Sequence, residues 1–181
     1  MSSKKLPSPM PDIIEWATLI AVWSGAYFSI VTVHELGHYL AGLLIGVPRR
    51  NMRIRLWCFP QHVALRDGHD WVSPLETERF VKLAEAYMPT SARAMTFVAG
   101  GFLLESIVLL SWVILRLPFH RVAITLAILM TLLYLVADVA AFLKTRRASM
   151  DFTALFLISP IFGTATAVAV IALQCFTFYI R

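Results

Sequence analysis

Long apolar stretches alternate with polar segments along the chain. The four stretches cover residues 13–47, 92–117, 122–143 and 152–180. A helix needs roughly 20 mainly apolar residues to cross the hydrocarbon core of a bilayer, and each stretch reaches that length. The pattern predicts an all-α polytopic membrane protein with about four transmembrane helices. A single membrane-embedded domain would cover residues 1–181, with residues 1–11 as a flexible N-terminus.

The polar segment 48–91 separates the first two spans and contains a strand pattern. Apolar and basic side chains alternate over residues 52–56, which is the period of a half-buried strand. After a turn at residues 59–61, residues 62–66 offer a partner strand. Together they predict a short β-hairpin, which needs another edge or the membrane interface for support.

The same polar segment also contains a helix pattern. Ser73 and Glu76 have the spacing of a capping box around Pro74, so a helix is expected to begin here. Apolar side chains then repeat at helical spacing, at Phe80, Leu83, Ala84 and Tyr87. The pattern predicts a short amphipathic helix that lies on the membrane surface.

Two signals concern the ends and the shape of the spans. Asp12, with Glu15 three residues later, is expected to cap the first helix. Pro160 lies inside the fourth apolar stretch, where it is expected to kink the helix.

Composition supports the membrane prediction. Hydrophobic residues make up 59% of the chain and charged residues 15%, whereas soluble domains are about half apolar and about a quarter charged. The net charge of +5 does not indicate nucleic acid, because basic residues flank the apolar stretches, where they meet anionic headgroups. The positive-inside rule places the polar segment and the 144–151 loop in the cytoplasm. The expected location is the cell membrane, as an integral multi-pass protein.

The strongest chemical signal is the sequence His-Glu-Leu-Gly-His at residues 34–38, inside the first apolar stretch. His34 and His38 are four residues apart, so on a helix both imidazoles can reach one metal ion. Glu35 is turned about 100° around the axis, where it can contact a water on the metal and act as general base and then acid. Ionisable groups at membrane depth cost a few kcal/mol each, and a bound zinc ion would offset that cost.

Two histidines and a water leave one position to fill in a tetrahedral zinc site. Asp151 lies where a polar loop returns to apolar sequence, and a carboxylate at a helix start can point at a metal. Asp138 and Glu105 are isolated acids in apolar sequence and are the alternatives. Asp151 is the preferred third ligand, although it could also be a capping residue without a metal.

These residues resemble the site-2 protease family of intramembrane zinc metalloproteases. Three features occur in the family's order: the His-Glu-Leu-Gly-His helix, a span that contains Ala-Gly-Gly-Phe-Leu at residues 99–103, and a late aspartate, Asp151. The polar segment also resembles the family's membrane-associated hairpin. Gly101 stands where the family has proline, and Met150 and Phe152 replace its Leu-Asp-Gly neighbours. The chain therefore resembles a divergent, minimal member.

The resemblance implies a zinc metalloendopeptidase, with one zinc ion per chain, that cleaves peptide bonds in membrane-spanning proteins or peptides. A helical substrate must unwind locally before attack, and the edge strand at residues 53–56 could hold the unwound segment by strand addition.

Three alternatives remain open from the sequence. A catalytically inactive zinc-binding membrane protein could regulate a partner or hold clients with the same histidines. An ion transporter also uses intramembrane histidine and glutamate, but no inverted repeat is visible. A prenyl-protein type of protease would use Glu105 in place of Asp151 as the third ligand. The oligomeric state is not predicted.

Overall fold

A computed structural model describes residues 13–148 and 150–180. The expected cap Asp12 and the expected flexible N-terminus, residues 1–11, lie outside the described residues. Helices dominate the described ranges. They are α1 (Ile13–Leu44), α2 (Thr77–Tyr87), α3 (Ser91–Ile114), α4 (His120–Thr145), α5 (Asp151–Ile158) and α6 (Pro160–Tyr179), and the strands are β1 (Met52–Arg55), β2 (His62–Asp67) and β3 (Asp70–Val72).

Four helices are long and apolar enough to cross a membrane, namely α1, α3, α4 and α6. The shortest, α6, has 20 residues, which at about 1.5 Å per residue matches the roughly 30 Å hydrocarbon core. The prediction of an all-α polytopic membrane protein is confirmed. The first helix ends at Leu44, before the expected boundary at residue 47, because Gly46 has φ +93° and turns the chain away.

The fourth apolar stretch is not one kinked helix. Proline lacks the N–H that would continue the hydrogen-bond ladder, and the helix ends at Ile158. Ser159 is extended, with φ −156°, and Pro160 opens the separate helix α6. A Cβ at Gly163 would overlap the backbone of Phe156, so α5 folds back against α6. The expectation of a single kinked span over 152–180 was therefore wrong, and α5 is a short helix of its own.

The predicted hairpin is present and is extended by a third strand. The antiparallel order is β1-β2-β3, with Met52 opposite Leu65 and Leu65 opposite Val72. Met52 and Leu65 pack with Val47 and Phe97, so the sheet covers the end of α1 and the start of α3. This support explains why so small a sheet is ordered.

The predicted amphipathic helix is also present as α2. Its apolar residues Phe80, Leu83, Ala84 and Tyr87 pack against the core cluster of the sheet. Its start differs from the prediction. Ser73 and Glu76 do form a box, in which Ser73 N–H donates to the Glu76 carboxylate, but this box closes a turn. The helix begins at Thr77, three residues after Pro74.

Helices α1 and α3 pack antiparallel with their backbones close together. Gly37 of α1 faces Gly100 of α3, and a Cβ at either glycine would overlap the other helix. Because these two glycines have no side chains, the backbones of α1 and α3 approach closely, and α3 lies against the two histidines of α1.

Candidate metal centre

Three ligand-type atoms meet at one point in the bundle. Nε2 of His34 and Nε2 of His38 lie 3.1 Å apart. Oδ2 of Asp151 lies 3.0 Å from the first nitrogen and 3.1 Å from the second. Two of these atoms come from α1 and the third from the first residue of α5. The structure therefore brings together the three residues that the sequence favoured as ligands.

The outer nitrogen of each imidazole has its own acceptor. His38 Nδ1 lies 3.0 Å from the backbone carbonyl oxygen of Phe97, and His34 Nδ1 lies 2.8 Å from Oε2 of Glu105. A carbonyl oxygen can only accept, so Nδ1 of His38 carries the hydrogen, and the Glu105 carboxylate assigns the same tautomer to His34. When the two rings are neutral, Nε2 of each presents a bare lone pair to the Asp151 oxygen.

Three lone pairs that face one another at 3.0–3.1 Å repel unless a proton or a metal cation lies between them. Zinc binds imidazole nitrogen at about 2.0–2.1 Å, so neighbouring ligands of a tetrahedral ion are about 3.3 Å apart. The observed triangle is close to one face of that tetrahedron. Two neutral imidazoles whose Nδ1 atoms are hydrogen-bonded, together with one carboxylate, are a zinc donor set. The residues present fit a zinc ion.

Glu35 lies beside this triangle. Its carboxylate and the two imidazoles offer atoms that are all within 4.8 Å of one another. The side chain is buried, at 7% exposure, yet it lines the cavity described below. A carboxylate at this position can exchange a proton with a group bound at the centre.

Glu105 is placed outside the triangle. Its Oε2 accepts from Nδ1 of His34, and its Oε1 accepts from the Gln174 amide of α6, which also donates to the Thr131 hydroxyl of α4. The chain of hydrogen bonds thus joins four helices behind one imidazole. Glu105, an alternative third ligand from the sequence, occupies the position of a group that orients His34.

Asp138, the other alternative, does not contact either imidazole. Its carboxylate accepts from the backbone N–H groups of Met150 and Thr153, at 2.9 and 2.8 Å. These groups open α5, so a residue of α4 caps the helix that carries Asp151. The Phe152 ring stacks on Phe102 of α3, with centroids 4.5 Å apart, so the first turn of α5 also packs against α3.

Space for the imidazoles depends on Gly101. A Cβ at this position would lie 2.6 Å from Nε2 of His38 and 2.8 Å from Nε2 of His34. From the sequence, Gly101 is the residue that stands where the resembled family has proline. In the structure Gly101 also leaves room for the inner nitrogens of both histidines.

A cavity of about 530 Å³ opens onto the centre. His34, Glu35, His38 and Asp151 line one part of it, and its other walls are mainly apolar side chains from β2, α2, α3 and α5. The candidate metal centre is therefore reached through a mainly apolar cavity.

Three partners of the centre were not anticipated from the sequence. The Phe97 carbonyl could not be found from sequence, because it follows only from helix packing. Gln174 and Thr131 did carry a signal, since each is a polar residue within an apolar span. Comparison of the chain with protein-family models, with curated proteins and with solved structures found no match.

Proposed function

We propose that the chain is an intramembrane zinc metalloendopeptidase of the site-2 protease type. One zinc ion would be held by His34, His38 and Asp151. The observation that carries the proposal is the convergence of Nε2, Nε2 and Oδ2 at 3.0–3.1 Å, with both Nδ1 atoms already hydrogen-bonded.

When bound, zinc supplies Lewis acidity that lowers the pKa of water and polarises a peptide carbonyl. Glu35 takes the proton of the attacking water and returns it to the leaving amine. Glu105 and the Phe97 carbonyl keep each imidazole in one tautomer and one orientation. Asp138 holds the start of α5, so that Asp151 faces the two rings.

The proposed substrate is a membrane-spanning protein or peptide, cleaved near or within the bilayer. The mainly apolar cavity would take an apolar segment. The segment must be extended, because a helix hides its peptide bonds in its own hydrogen bonds. Strand β1 is at an edge of the sheet, and an edge strand can pair with such a segment by strand addition. We place the protein in the cell membrane, with the sheet on the cytoplasmic side.

The test measures zinc and cleavage in the same preparations. Parent protein, Glu35→Gln and His34→Ala are purified in detergent, and zinc per chain is counted by elemental mass spectrometry. Cleavage is followed by mass spectrometry on a library of apolar membrane-spanning peptides with and without a central Gly or Asn. Parent protein should hold about one zinc ion and cleave the peptides with the weakened helices best.

Glu35→Gln should keep the zinc and lose cleavage by a factor of about 10²–10⁴, the usual contribution of a general base. His34→Ala should lose both. Parent protein without stoichiometric zinc would overturn the proposal, as would cleavage by Glu35→Gln at the parent rate. Zinc in the parent without cleavage of any peptide would favour the non-catalytic zinc protein.

A further inference from the structure

The sheet has a second face, and that face is basic. Side chains alternate across a strand, so Arg53 and Arg55 of β1 point away from the core that holds Met52. In the antiparallel register Arg53 lies opposite Ala64 of β2. Arg66, two residues after Ala64 on the same strand, lies opposite Trp71 of β3. The outer face therefore carries three arginines and one tryptophan. Two more arginines, Arg49 and Arg50, directly precede β1.

Two of these guanidinium groups are held in place. The guanidinium carbons of Arg53 and Arg66 each lie 5.9 Å from the centroid of the Trp71 ring. Nε of Arg66 also donates to the Gly68 carbonyl oxygen at 2.9 Å, which leaves its terminal nitrogens free to bind another group. Cation–π contacts of this kind fix long side chains before a ligand arrives.

The positive charges of this face are not neutralised by the protein. Within residues 13–148 and 150–180, no carboxylate forms an ion pair with any of the five arginines. Arg79, on α2, shows the contrast. It bonds to Asp70 and Asp67, and these hydrogen bonds raise the pKa of Arg79. A cluster of arginines without acidic partners is a site for an anion.

The position of the cluster indicates which anion. An open groove at the edge of this face is lined by Arg49, Arg50, Arg53, Arg66 and Trp71, and at its inner side by Met52 and Tyr39. Tyr39 belongs to the membrane-spanning helix α1, five residues before its end at Leu44, and Arg49 lies five residues after that end. The groove thus begins on a span and continues at the level where that span leaves the hydrocarbon. Tyr and Trp are the residues that favour this interface.

We propose that this groove binds the phosphate of an anionic phospholipid. Arg49, Arg50, Arg53 and Arg66 surround the headgroup phosphate, while Tyr39 and Trp71 contact the glycerol and the upper acyl chains. Bound lipid would hold the outer face of the sheet at the membrane surface. The inference does not depend on the metal centre, which lies on the other side of the core cluster.

The test uses native mass spectrometry of full-length protein in detergent, titrated with phosphatidylglycerol or with phosphatidylcholine of the same acyl chains. Parent protein should retain phosphatidylglycerol in clear excess over phosphatidylcholine. The double variant Arg53→Gln, Arg66→Gln should bind phosphatidylglycerol about thirty-fold more weakly, since each basic residue near the surface contributes about fivefold. The matched control is Arg116→Gln, Arg121→Gln, which removes two positive charges beside the α3–α4 link and should change binding less than twofold.

Zinc content and thermal midpoint are measured for each variant, so that a misfolded protein is recognised. The parent protein alone also tests the idea, since equal retention of the two lipids would overturn it whatever the variants do. Equal loss in both double variants would show an effect of net charge without a site, which also overturns it. Displacement of the lipid by millimolar inorganic phosphate would assign the groove to a soluble phosphate compound.

Discussion

The Asp138 carboxylate accepts two hydrogen bonds from Thr153, one from the backbone N–H at 2.8 Å and one from the hydroxyl at 2.6 Å. Asp138 is fully buried on α4, and Thr153 lies two residues after Asp151 on α5. The short helix is thereby capped by a neighbouring helix, and the direction of its first side chain is set by that contact.

Asp138→Ala should lower stability and weaken zinc binding together. The change removes the carboxylate that accepts from two backbone N–H groups and from the Thr153 hydroxyl, at a total cost of about 3 kcal/mol. Thr153→Val is the matched control, because it removes the hydroxyl and keeps both backbone bonds, and should cost about 1 kcal/mol. Thermal unfolding and zinc titration measure both effects. An Asp138→Ala protein with the parent's zinc affinity would show that α5 is held by its other contacts alone.

Replacement of Glu105 and replacement of Asp151 should reduce zinc affinity to different extents. Asp151→Ala removes a proposed ligand, so purified protein should lose most of its zinc. Glu105→Ala removes only the acceptor of His34 Nδ1 and should weaken zinc binding about 10–100-fold. Glu105→Gln keeps an acceptor oxygen there and should recover most of the affinity. Competition against a zinc chelator gives the constants. Zinc loss in Glu105→Ala as complete as in Asp151→Ala, without rescue by glutamine, would make Glu105 a ligand.

Gly101→Ala should weaken zinc binding, because it adds a methyl group on α3 next to the two imidazoles. The added methyl group would lie 2.6 Å from Nε2 of His38, so one ring or one helix must shift. Overpacking of this size costs about 1–3 kcal/mol, and zinc affinity should fall about tenfold or more. Gly25→Ala on α1 is the control, since a methyl group there meets no atom within 4 Å. Equal zinc affinity in the two variants would mean that the rings are not confined as described.

Removal of the ion should destabilise the parent protein reversibly. A ligand that binds only the folded state stabilises it by about 2.7 kcal/mol at one hundred times its dissociation constant. Chelation should therefore lower the thermal midpoint, and added zinc should restore it. His38→Ala should have a midpoint that responds to neither treatment. A zinc-dependent midpoint in that variant would point to a second metal site.

The sequence was sufficient for those parts of the fold that depend on local patterns. Span lengths, the alternation in β1 and the helical spacing at Phe80–Tyr87 each reflect one element that buries one face. Strand β3 was overlooked because it has only three residues, although Asp67-Gly68 before it is a common turn signal. Pro160 was read as a kink, whereas in the structure it begins a new helix.

The candidate site could be predicted only in part. His34, Glu35 and His38 share one helix, so their relation follows from helical geometry. Asp151 was favoured on its position in the sequence, and its distance from the rings depends on how α5 packs between α3 and α4. The role of Glu105 as a partner of Nδ1, and of Asp138 as a cap, required knowledge of which helices touch.

The two halves of the metal centre are far apart in the chain, since Asp151 follows His34 by 117 positions. During synthesis the first span must therefore enter the bilayer before its carboxylate partner has been made. The apolar neighbours of the two histidines have to carry them into the lipid without help, at a few kcal/mol per ionisable group. A ribosome-bound chain that stops short of residue 151 would thus hold a complete first helix and only part of the candidate metal centre, so we expect metal to bind late in the assembly of this protein.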